Sequence, residues 1–384
     1  TDAVGAAVFT LIERGIVYLD GNGLDFKNDI HRVFVYSTLP EETRKYQHAH
    51  LAQHLSAARD QSEFQNALEA AHHYLRADWM DEAKQLVCLG ADRAISCGAP
   101  KEAESALEAV ASAQAGNADV DVTTLLASAH SAQGSFQKCL DTLTKIESAI
   151  PTEKQAAIIA HLRVKAMHRG RLANKEEDIA AAAACATEIA DSAGDQTIVM
   201  ELRQIEAELA HETGDWLELS RIEQKCRQLG TRTQNAEVSG NAHLTIGYCR
   251  LAGGSAASAM RHFLTAVQIF EDLNLVSRLL WAHNGVGMCA SSLGHFDVAL
   301  GAFADASNSA TRSGDIVAQA NAFLNLGALS NELGEFNRAA GHFQRAVELN
   351  NTVSTSRVSA ALFCNAANLS IAIGNFDEAE RLLS

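Results

Sequence analysis

The sequence predicts an all-α fold, a right-handed superhelix of about eight helical hairpins, preceded by a small module with one β-hairpin. The main evidence is an internal repeat, since Gly214, Gly254, Gly294, Gly334 and Gly374 follow one another at intervals of 40 residues. Self-similarity at a period of about 20–50 residues is typical of solenoid proteins. The composition agrees, because the chain is 47% hydrophobic but only 6% aromatic and contains just three prolines, so that helix-breaking residues are few.

Residues at fixed distances from each repeat glycine, counted as position zero, indicate how the helices pack. Position −7 is small, position +5 is mostly alanine, and aromatic residues recur at +2 and +9. The residues at −7 are Ala127, Ala207, Gly247, Gly287, Gly327 and Ala367, those at +2 are Phe136, Trp216, Phe296, Phe336 and Phe376, and those at +9 are Phe263, Phe303 and Phe343. These offsets place residues on one helix face. We therefore expect the small residues to bring two antiparallel helices together and the aromatic rings to fill the space between them. The glycine is expected in the turn, where a left-handed conformation is needed.

This pattern resembles the tetratricopeptide repeat (TPR), a helix–turn–helix unit of about 34 residues. The longer period here predicts longer connections and helices of about 17 residues, or about 26 Å. Because one hairpin cannot bury its own apolar stripe, neighbouring hairpins are expected to stack into a superhelix with a concave and a convex face. We predict that this array occupies residues 115–384, with turns near residues 134, 174, 214, 254, 294, 334 and 374. The repeat around Asn174 is degenerate, since Glu176 stands where an aromatic residue is expected.

The first 114 residues are predicted to form two further segments. Residues 1–60 indicate a helix ending near Gly15, a β-hairpin with a glycine-rich turn, a helix capped by Asn28 or Asp29, and the start of another helix. This order is typical of the latter part of a winged-helix fold, so we predict a partial winged-helix module. Residues 61–114 are predicted to hold a connecting helix and a first, irregular hairpin.

Two stretches resemble a specific group of bacterial signalling proteins. The first contains Phe26-Lys27-Asn28-Asp29-Ile30, Arg32, Val35-Tyr36, Leu39-Pro40, Arg44, His48, Leu51 and Ala52, and the second is His73-Tyr74-Leu75-Arg76-Ala77-Asp78-Trp79. They are similar to the winged-helix region, and to its junction with a sensor array, in STAND-class signalling ATPases, which include maltose-regulator-like, LuxR-type and cyclase-linked proteins. Asn28 departs from the pattern, which usually has histidine there. The resemblance implies an ATPase module, a winged helix and a TPR-like sensor array in that order.

The sequence contains none of the motifs that would place catalysis within this chain. It has no GxxxxGK[ST] phosphate-binding loop, no GxSxG or HExxH motif, and no glycine–lysine pair. We therefore expect no catalytic residues, no cofactor and no metal, and an ATPase of the resembling class would have to lie outside this chain. The chain ends at Ser384 within a predicted helix, and we expect the natural protein to continue.

The net charge and the cysteine content limit which binding partners and which cell compartment we expect for this chain. The formal net charge of −16 argues against nucleic-acid binding, which relies on Lys and Arg contacts to phosphate, and is compatible with basic partners. The eight cysteines include no CxxC pair, which favours reduced core cysteines and a cytoplasmic protein. No apolar run approaches the about 20 residues of a membrane span. The predicted partner is a peptide or protein effector, or the ATPase module of the same protein, and oligomerisation stays open.

Histidines near the predicted junction leave a metal site as an alternative. His50 and His54 lie one helical turn apart and have the spacing of a two-histidine chelate. We favour a packing role instead, because His48 and His73 stand at positions typical of the resembling proteins. The winged helix has few basic residues, and in those proteins it relays the nucleotide state, so DNA contact is the weaker interpretation.

The concave face of the array is the predicted binding site. In TPR-type hairpins the first helix lines this face, and positions −13, −10, −9 and −6 point inward. The polar and aromatic residues at these positions in the later repeats are Asn241, Tyr248, Trp281, Asn284, Asn321, Asn325, Asn365 and Asn368. Asparagine is a poor helix former, so its recurrence suggests a ladder of amides that donate to and accept from an extended peptide. The alternatives are that these asparagines are exposed or bond neighbouring helices, and that Tyr248 and Trp281 are core residues rather than ligand anchors.

We predict a non-catalytic sensor and regulatory region of a STAND-like signalling ATPase or transcriptional regulator, with its peptide, protein or small-molecule effector in the concave groove. A constitutive TPR scaffold for protein assembly is the alternative, and an enzyme is the weakest hypothesis. The sequence does not identify the effector or the output of the signalling.

Overall fold

The computed structural model describes residues 2–20, 23–57, 64–114, 118–170, 172, 176–353, 356–375, 377 and 380–381. Within them it contains nineteen helices and one two-stranded antiparallel sheet, so the predicted helical class with a single β-hairpin is confirmed. Contacts divide the chain into two compact units, residues 1–86 and 87–384. The three segments expected from the sequence, 1–60, 61–114 and 115–384, have different bounds and stay a prediction. No helix in the described ranges is long and apolar enough to cross a membrane.

The first unit has the predicted order of helix, hairpin and helices. Its elements are α1 (Asp2–Glu13), β1 (Val17–Asp20), β2 (Gly23–Phe26), α2 (Asp29–Thr38), α3 (Glu41–Ala57) and α4 (Phe64–Arg76). The strands pair antiparallel from Val17 with Phe26 to Asp20 with Gly23, while turn residues 21 and 22 lie outside the described residues. The side chain of Asn28 caps α2 by accepting a hydrogen bond from the backbone N–H of Ile30. That this segment belongs to a winged-helix module remains a prediction.

Two of the junction histidines are held by side-chain contacts within the first unit. The Nε2 atom of His48 lies 2.9 Å from the hydroxyl of Tyr36, and its Nδ1 atom lies 2.8 Å from Nδ1 of His73. Next to this pair, Tyr74 stacks on Trp79 with the ring centroids 5.6 Å apart. His48 and His73 therefore pack α3 against α4, which is the structural role that we favoured.

The second unit is a stack of antiparallel helix pairs. With α5, which spans the boundary between the units, the helices are α5 (Met80–Ser96), α6 (Pro100–Ala113), α7 (Val120–Ala132), α8 (Phe136–Thr144), α9 (Glu153–Gly170), α10 (Glu176–Ser192), α11 (Gln196–Glu212), α12 (Trp216–Arg232), α13 (Ala236–Ala252), α14 (Ala256–Asp272), α15 (Val276–Ser292), α16 (Phe296–Ser313), α17 (Ile316–Glu332), α18 (Phe336–Val353) and α19 (Ser356–Ala372). Both α11 and α12 have 17 residues, as predicted, and with two short connections they fill the 40-residue period.

The turns occur where the repeat glycines predict them, and a second set occurs half a repeat later. The glycines at 134, 214, 254, 294, 334 and 374 all have φ between 72° and 80°, the left-handed region that glycine adopts at low cost. Gly194, Asn274 and Gly314 also have positive φ and end the second helices of their hairpins. This second set of turns was not predicted from the sequence. The predicted turn residue Asn174 lies outside the described residues.

The small and aromatic repeat positions pack as predicted at −7 and +9 but not at +2. Phe303 is buried against Gly287, where an added Cβ would lie 2.5 Å from the phenyl ring. Phe136 at +2 is also buried, whereas Trp216 is 55% exposed and Phe336 is 36% exposed. The prediction that the +2 aromatics fill the seam is wrong for Trp216 and Phe336, which begin their helices next to the exposed turn. Phe136 also begins its helix, but it packs in one cluster with Leu162 and Ala166 of α9.

The array coils back on itself within the second unit. The turn between α5 and α6 meets the turn between α16 and α17, so that a Cβ on Gly98 would lie 2.5 Å from the carbonyl oxygen of Arg312. A Cβ on Gly314 would in turn lie 2.6 Å from the carbonyl oxygen of Gly98. Further along the chain, α19 contacts α9. Inner helices that are distant in sequence therefore face each other across a narrow concave groove.

Candidate functional site

A cavity of about 250 Å³ lies on the concave face of the second unit, lined by residues of α9, α11, α13, α14, α15 and α17. Five of the eight residues predicted for the groove line it, and they come from three successive inner helices. These residues are Tyr248 of α13, Trp281 and Asn284 of α15, and Asn321 and Asn325 of α17. The inward positions counted from the repeat glycine therefore converge on one cavity. We call it the central cavity.

The other three predicted residues lie elsewhere. Asn241 is only 3% exposed, and neither atom of its side-chain amide has a hydrogen-bond partner among the residues that the structure describes. It does not line the central cavity, although Tyr248 of the same helix does. Asn365 is partly buried and Asn368 is exposed, and both lie on α19, away from the lining of the central cavity. Asn241 is therefore buried rather than open to a ligand, whereas the groove assignment of Asn365 and Asn368 stays a prediction.

Two asparagines of the predicted ladder bond each other across neighbouring helices. The Nδ2 atom of Asn325 donates to Oδ1 of Asn284 at 2.7 Å, and Nδ2 of Asn284 lies 3.7 Å from the sulfur of Met288. For this pair, the alternative holds: the asparagines form a hydrogen bond between neighbouring helices. Asn321, in contrast, forms no hydrogen bond within the described residues, so its amide is available to a ligand in the cavity.

Trp281 faces a charged residue from the opposite wall of the groove. The guanidinium carbon of Arg169 on α9 lies 4.6 Å from the centroid of the Trp281 ring, a cation–π distance. Arg169 also pairs with Glu208 of α11 at 3.2 Å, and Gln204 donates to the same carboxylate at 3.3 Å. The ring of Trp281 is therefore an ordered surface of the central cavity and also a contact across the groove.

A smaller cavity of about 100 Å³ adjoins the central cavity and shares Arg169, Gln204, Trp281 and Val317 with it. We call it the charged cavity, because Lys165, Arg169, Glu201, Arg278 and Asp315 line it. Arg278 forms an ion pair with Glu201, and Nε2 of His161 lies 3.0 Å from the same carboxylate.

Burial and the neighbouring cations shift the ionisation of two groups at the charged cavity. Burial, with the charges of Lys165 and Arg278, lowers the pKa of His161 to about 3, so this imidazole is neutral at pH 7. Burial and the charge of Arg278 also lower the pKa of Lys165 to about 8. Lys165 is still mostly protonated at pH 7, but it loses its proton at a lower pH than an exposed lysine does.

A third cavity, of about 470 Å³, adjoins the central cavity on its other side. The two cavities share Tyr248, Leu251, Met288 and Asn325, and the third extends to His211, Ser292 and Glu332. The three cavities together form one continuous groove, polar and charged at one end and lined by rings, amides and a thioether at its centre. We call this the central groove.

Sequence reasoning missed the residues of α9 and α11, although the same offsets identify most of them. Counted from Asn174, positions −13 and −9 are His161 and Lys165. Counted from Gly214, positions −13, −10 and −6 are Glu201, Gln204 and Glu208. All five lie at the charged or central cavity. The predicted groove residues came only from the repeats that turn at 254, 294, 334 and 374, so they did not include the repeat at Gly214 or the degenerate repeat near Asn174.

One group of side chains has the composition of a metal site. Ligand atoms of Glu104, Glu108 and His130 all lie within 4.8 Å of one another. Two of these groups already bond to protein, since His130 lies 3.1 Å from both Glu104 and Thr142, and Gln133 donates to Glu104 at 2.6 Å. The polar atoms of Glu104 and His130 therefore have protein partners, and their hydrogen bonds link α6 to α7.

Comparison with known proteins identifies the fold. No family model matches the chain, and no curated protein matches it in sequence. One similar solved structure is a Signal Transduction ATPase with Numerous Domains (STAND) protein with a tetratricopeptide repeat sensor from Pyrococcus horikoshii, with a TM-score of 0.54 and 14% identity over 98% of this chain and 56% of that one. This chain therefore spans little more than half the length of that protein.

Two further structures are similar over most of their length. A Rap protein complexed with competence and sporulation factor has a TM-score of 0.57 and 15% identity, over 84% of this chain and 96% of that one. Aspartyl phosphate phosphatase F from Bacillus subtilis has a TM-score of 0.51 and 14% identity, over 92% and 90%. At these identities the similarity concerns the fold. This chain has a TPR-like helical array.

Proposed function

We propose that this chain is the sensor region of a STAND-like signalling protein, and that it binds a peptide, or a peptide segment of a partner protein, in the central groove. The observation that carries the proposal is the convergence of Tyr248, Trp281, Asn284, Asn321 and Asn325 on the central cavity. The similarity to a STAND protein with a TPR sensor and to a Rap protein complexed with a sporulation factor supports it at the level of the fold. A non-catalytic role without a cofactor and a cytoplasmic location are parts of the same proposal.

The chemistry of the groove suits an extended peptide. Each peptide residue presents one backbone donor and one acceptor, and the free amide of Asn321 can satisfy one of each. The rings of Tyr248 and Trp281 offer flat apolar surfaces with little side-chain entropy to lose, which is why such residues dominate binding sites. The pair Asn284–Asn325 is already ordered by its own hydrogen bond at 2.7 Å, so ligand binding does not have to arrange it.

The contacts across the groove give binding a structural consequence. A ligand in the central cavity lies beside the Arg169–Trp281 contact, which joins α9 to α15. A ligand that displaces Arg169 from the ring therefore removes a contact that joins distant hairpins. A sensor needs such a difference between its free and bound states, because a ligand shifts an equilibrium only through different contacts in the two states.

Selection of random linear peptides on the immobilised chain tests the proposal. Peptides that the wild-type chain enriches are expected to bind the Trp281→Ala variant at least about tenfold more weakly, a loss of about 1.4 kcal/mol. The Asn308→Ala variant is the control, since Asn308 is exposed on α16 and does not line the central cavity. Equal affinity of the enriched peptides for wild type and both variants, measured by calorimetry, contradicts the groove assignment and favours the scaffold alternative.

A further inference from the structure

We propose that Glu104, Glu108 and His130 form a structural metal site, which binds a divalent first-row transition-metal ion such as zinc and joins α6 to α7. The ligand atoms of the three side chains lie within 4.8 Å of one another. None of the three lines the central groove, so this inference is independent of the proposed function. It departs from the expectation of no metal, which rested on sequence motifs, because Glu104 and His130 come from two helices and lie 26 positions apart.

The backbone places the three ligands on facing surfaces of two packed helices. Glu104 and Glu108 lie one turn apart on α6, and residues with this spacing share one helix face. His130 lies near the C-terminal end of α7, and its Nε2 atom is 3.1 Å from Oε1 of Glu104. Zinc binds imidazole nitrogen and carboxylate oxygen at about 2.0–2.2 Å, which puts two ligand atoms of a tetrahedral site about 3.3 Å apart. His130 and Glu104 therefore already have the spacing of two zinc ligands.

Two further side chains hold the inner ligands from behind. The Nδ1 atom of His130 lies 3.1 Å from the hydroxyl of Thr142, and Nε2 of Gln133 donates to Oε2 of Glu104 at 2.6 Å. Metal-binding histidines usually donate their second ring N–H to an oxygen, and metal-binding carboxylates are usually hydrogen-bonded as well. His130 and Thr142 are 5% and 4% exposed, so this support lies within the packed interior.

The charge of the cluster favours a cation. Burial raises the pKa of Glu104, but the hydrogen bond from Gln133 and the neighbouring His130 and Lys138 lower it, and the pKa lies below its ordinary value. Glu104 is therefore ionised at pH 7. When Nδ1 of His130 donates to Thr142, the lone pair of Nε2 faces this carboxylate, so that a proton or a metal ion is needed between the two acceptors.

Glu108 favours the metal ion over the proton. Its side chain forms no hydrogen bond or ion pair within the described residues, although its carboxylate lies beside the two other ligand atoms. A hydrogen bond between His130 and Glu104 does not involve a second carboxylate, whereas a zinc ion takes it as a third ligand and leaves the fourth position to water. Glu108 is exposed, so it can turn toward the ion without disturbing the core. The imidazole ligand suits zinc better than magnesium or calcium, which prefer oxygen ligands.

Hydrogen exchange of the metal-free full chain, with and without zinc, tests the site. Zinc is expected to slow exchange in α6 and α7, and Glu108→Gln is expected to raise the zinc concentration that this requires at least about tenfold, because it removes a ligand. Without zinc, Glu108→Gln should exchange like wild type, since the substitution breaks no hydrogen bond or ion pair within the described residues. Glu102→Gln is the matched control, because Glu102 is an exposed glutamate of the same helix outside the cluster. Equal zinc dependence in wild type and Glu108→Gln overturns the proposal.

Two further measurements separate ligation by the cluster from other metal binding. Glu108→His supplies a different zinc ligand at the same position and is expected to restore the protection that Glu108→Gln loses. Magnesium at the same concentration is expected to give no protection, and equal protection by magnesium would contradict ligation by His130. Zinc protection confined to α3, where His50 and His54 lie one turn apart, would assign the ion to those residues and also overturn the proposal.

Discussion

Arg169 lies over the ring of Trp281, with its guanidinium carbon 4.6 Å from the ring centroid, and this contact joins opposite walls of the central groove. The same guanidinium pairs at 3.2 Å with Glu208, whose side chain is 8% exposed. One side chain of the degenerate repeat therefore links α9, α11 and α15. Small rotations between neighbouring repeats add up to the curvature that brings these helices together. Arg169 stabilises the resulting approach of α9, α11 and α15.

Replacement of Arg169 by alanine is expected to destabilise the second unit by about 2–4 kcal/mol. The loss combines a cation–π contact of about 0.5–2 kcal/mol with a buried carboxylate, Glu208, that loses its arginine partner. Hydrogen exchange is expected to accelerate in α9, α11 and α15. Arg345→Ala is the control, because Arg345 forms only an exposed ion pair with Glu348, which contributes about 0–1 kcal/mol. Similar exchange in the two variants would show that the contact across the groove does not stabilise the second unit.

Gly287→Ala and Gly301→Ala are expected to change stability in opposite directions. Both glycines lie inside helices of one hairpin, where alanine is intrinsically better by about 1 kcal/mol. A Cβ at position 287 would lie 2.5 Å from the ring of Phe303, whereas a Cβ at position 301 meets no atom of the described residues within 4 Å. Gly287→Ala should therefore destabilise by about 1–3 kcal/mol through overpacking, and Gly301→Ala should stabilise slightly. Denaturant midpoints followed by circular dichroism measure both effects, and equal midpoints would contradict the packing described here.

The fold could be predicted because the contacts that define each hairpin join residues that are close in the sequence. The contact between Gly287 and Phe303 lies within one hairpin, and the same glycine–phenylalanine contact recurs in the copies that turn at residues 254 and 334. The helix length also follows from the period, since α11 and α12 have 17 residues each. The second set of turns was missed because its residue type varies, with glycine at 194 and 314 but Asn274 between them. A turn without a constant residue leaves no repeated signal.

The part of the site that lies on neighbouring regular hairpins could be predicted, and the part that comes from distant hairpins could not. Trp281 and Asn325 belong to neighbouring regular hairpins, where the inward offsets identify the residues that share a face. Arg169 and Glu208 reach the same groove from hairpins far earlier in the chain. Their approach depends on how far the superhelix turns over several repeats, and the pattern within one repeat does not specify that rotation. Asn241 shows the converse error, because an inward offset does not reveal when neighbouring helices cover the position.

Gly98→Ala is expected to loosen the contact between the turns at residues 98 and 314. Any side chain at position 98 meets the backbone of Arg312 at 2.5 Å, and φ is 85° there, which adds about 1–2 kcal/mol of strain for a residue other than glycine. Gly254→Ala is the matched control, because its φ of 78° imposes the same strain with nothing within 4 Å of the new Cβ. Hydrogen exchange around residues 312–316 should accelerate only in Gly98→Ala, and equal exchange in the two variants would count against the contact.

The histidine pair of the first unit is expected to make its stability depend on pH. Burial and then the charge of His73 lower the pKa of His48, and burial and then the charge of His72 lower the pKa of His73, despite the nearby carboxylate of Glu69. In the unfolded chain both histidines titrate near about 6.5.

Because the folded pKa values lie below this, the unfolded state binds more protons as the pH falls under about 6.5, and stability is lost in that range, while it is fully present above it. Double protonation also removes the hydrogen bond between the two Nδ1 atoms, which requires one of them to be an acceptor. Hydrogen exchange in α3 and α4 should therefore accelerate between pH 7.5 and pH 5 beyond the intrinsic effect of pH. His73→Gln should flatten this dependence and the exposed His50→Gln should retain it, so an unchanged profile in His73→Gln would exclude the pair as its source.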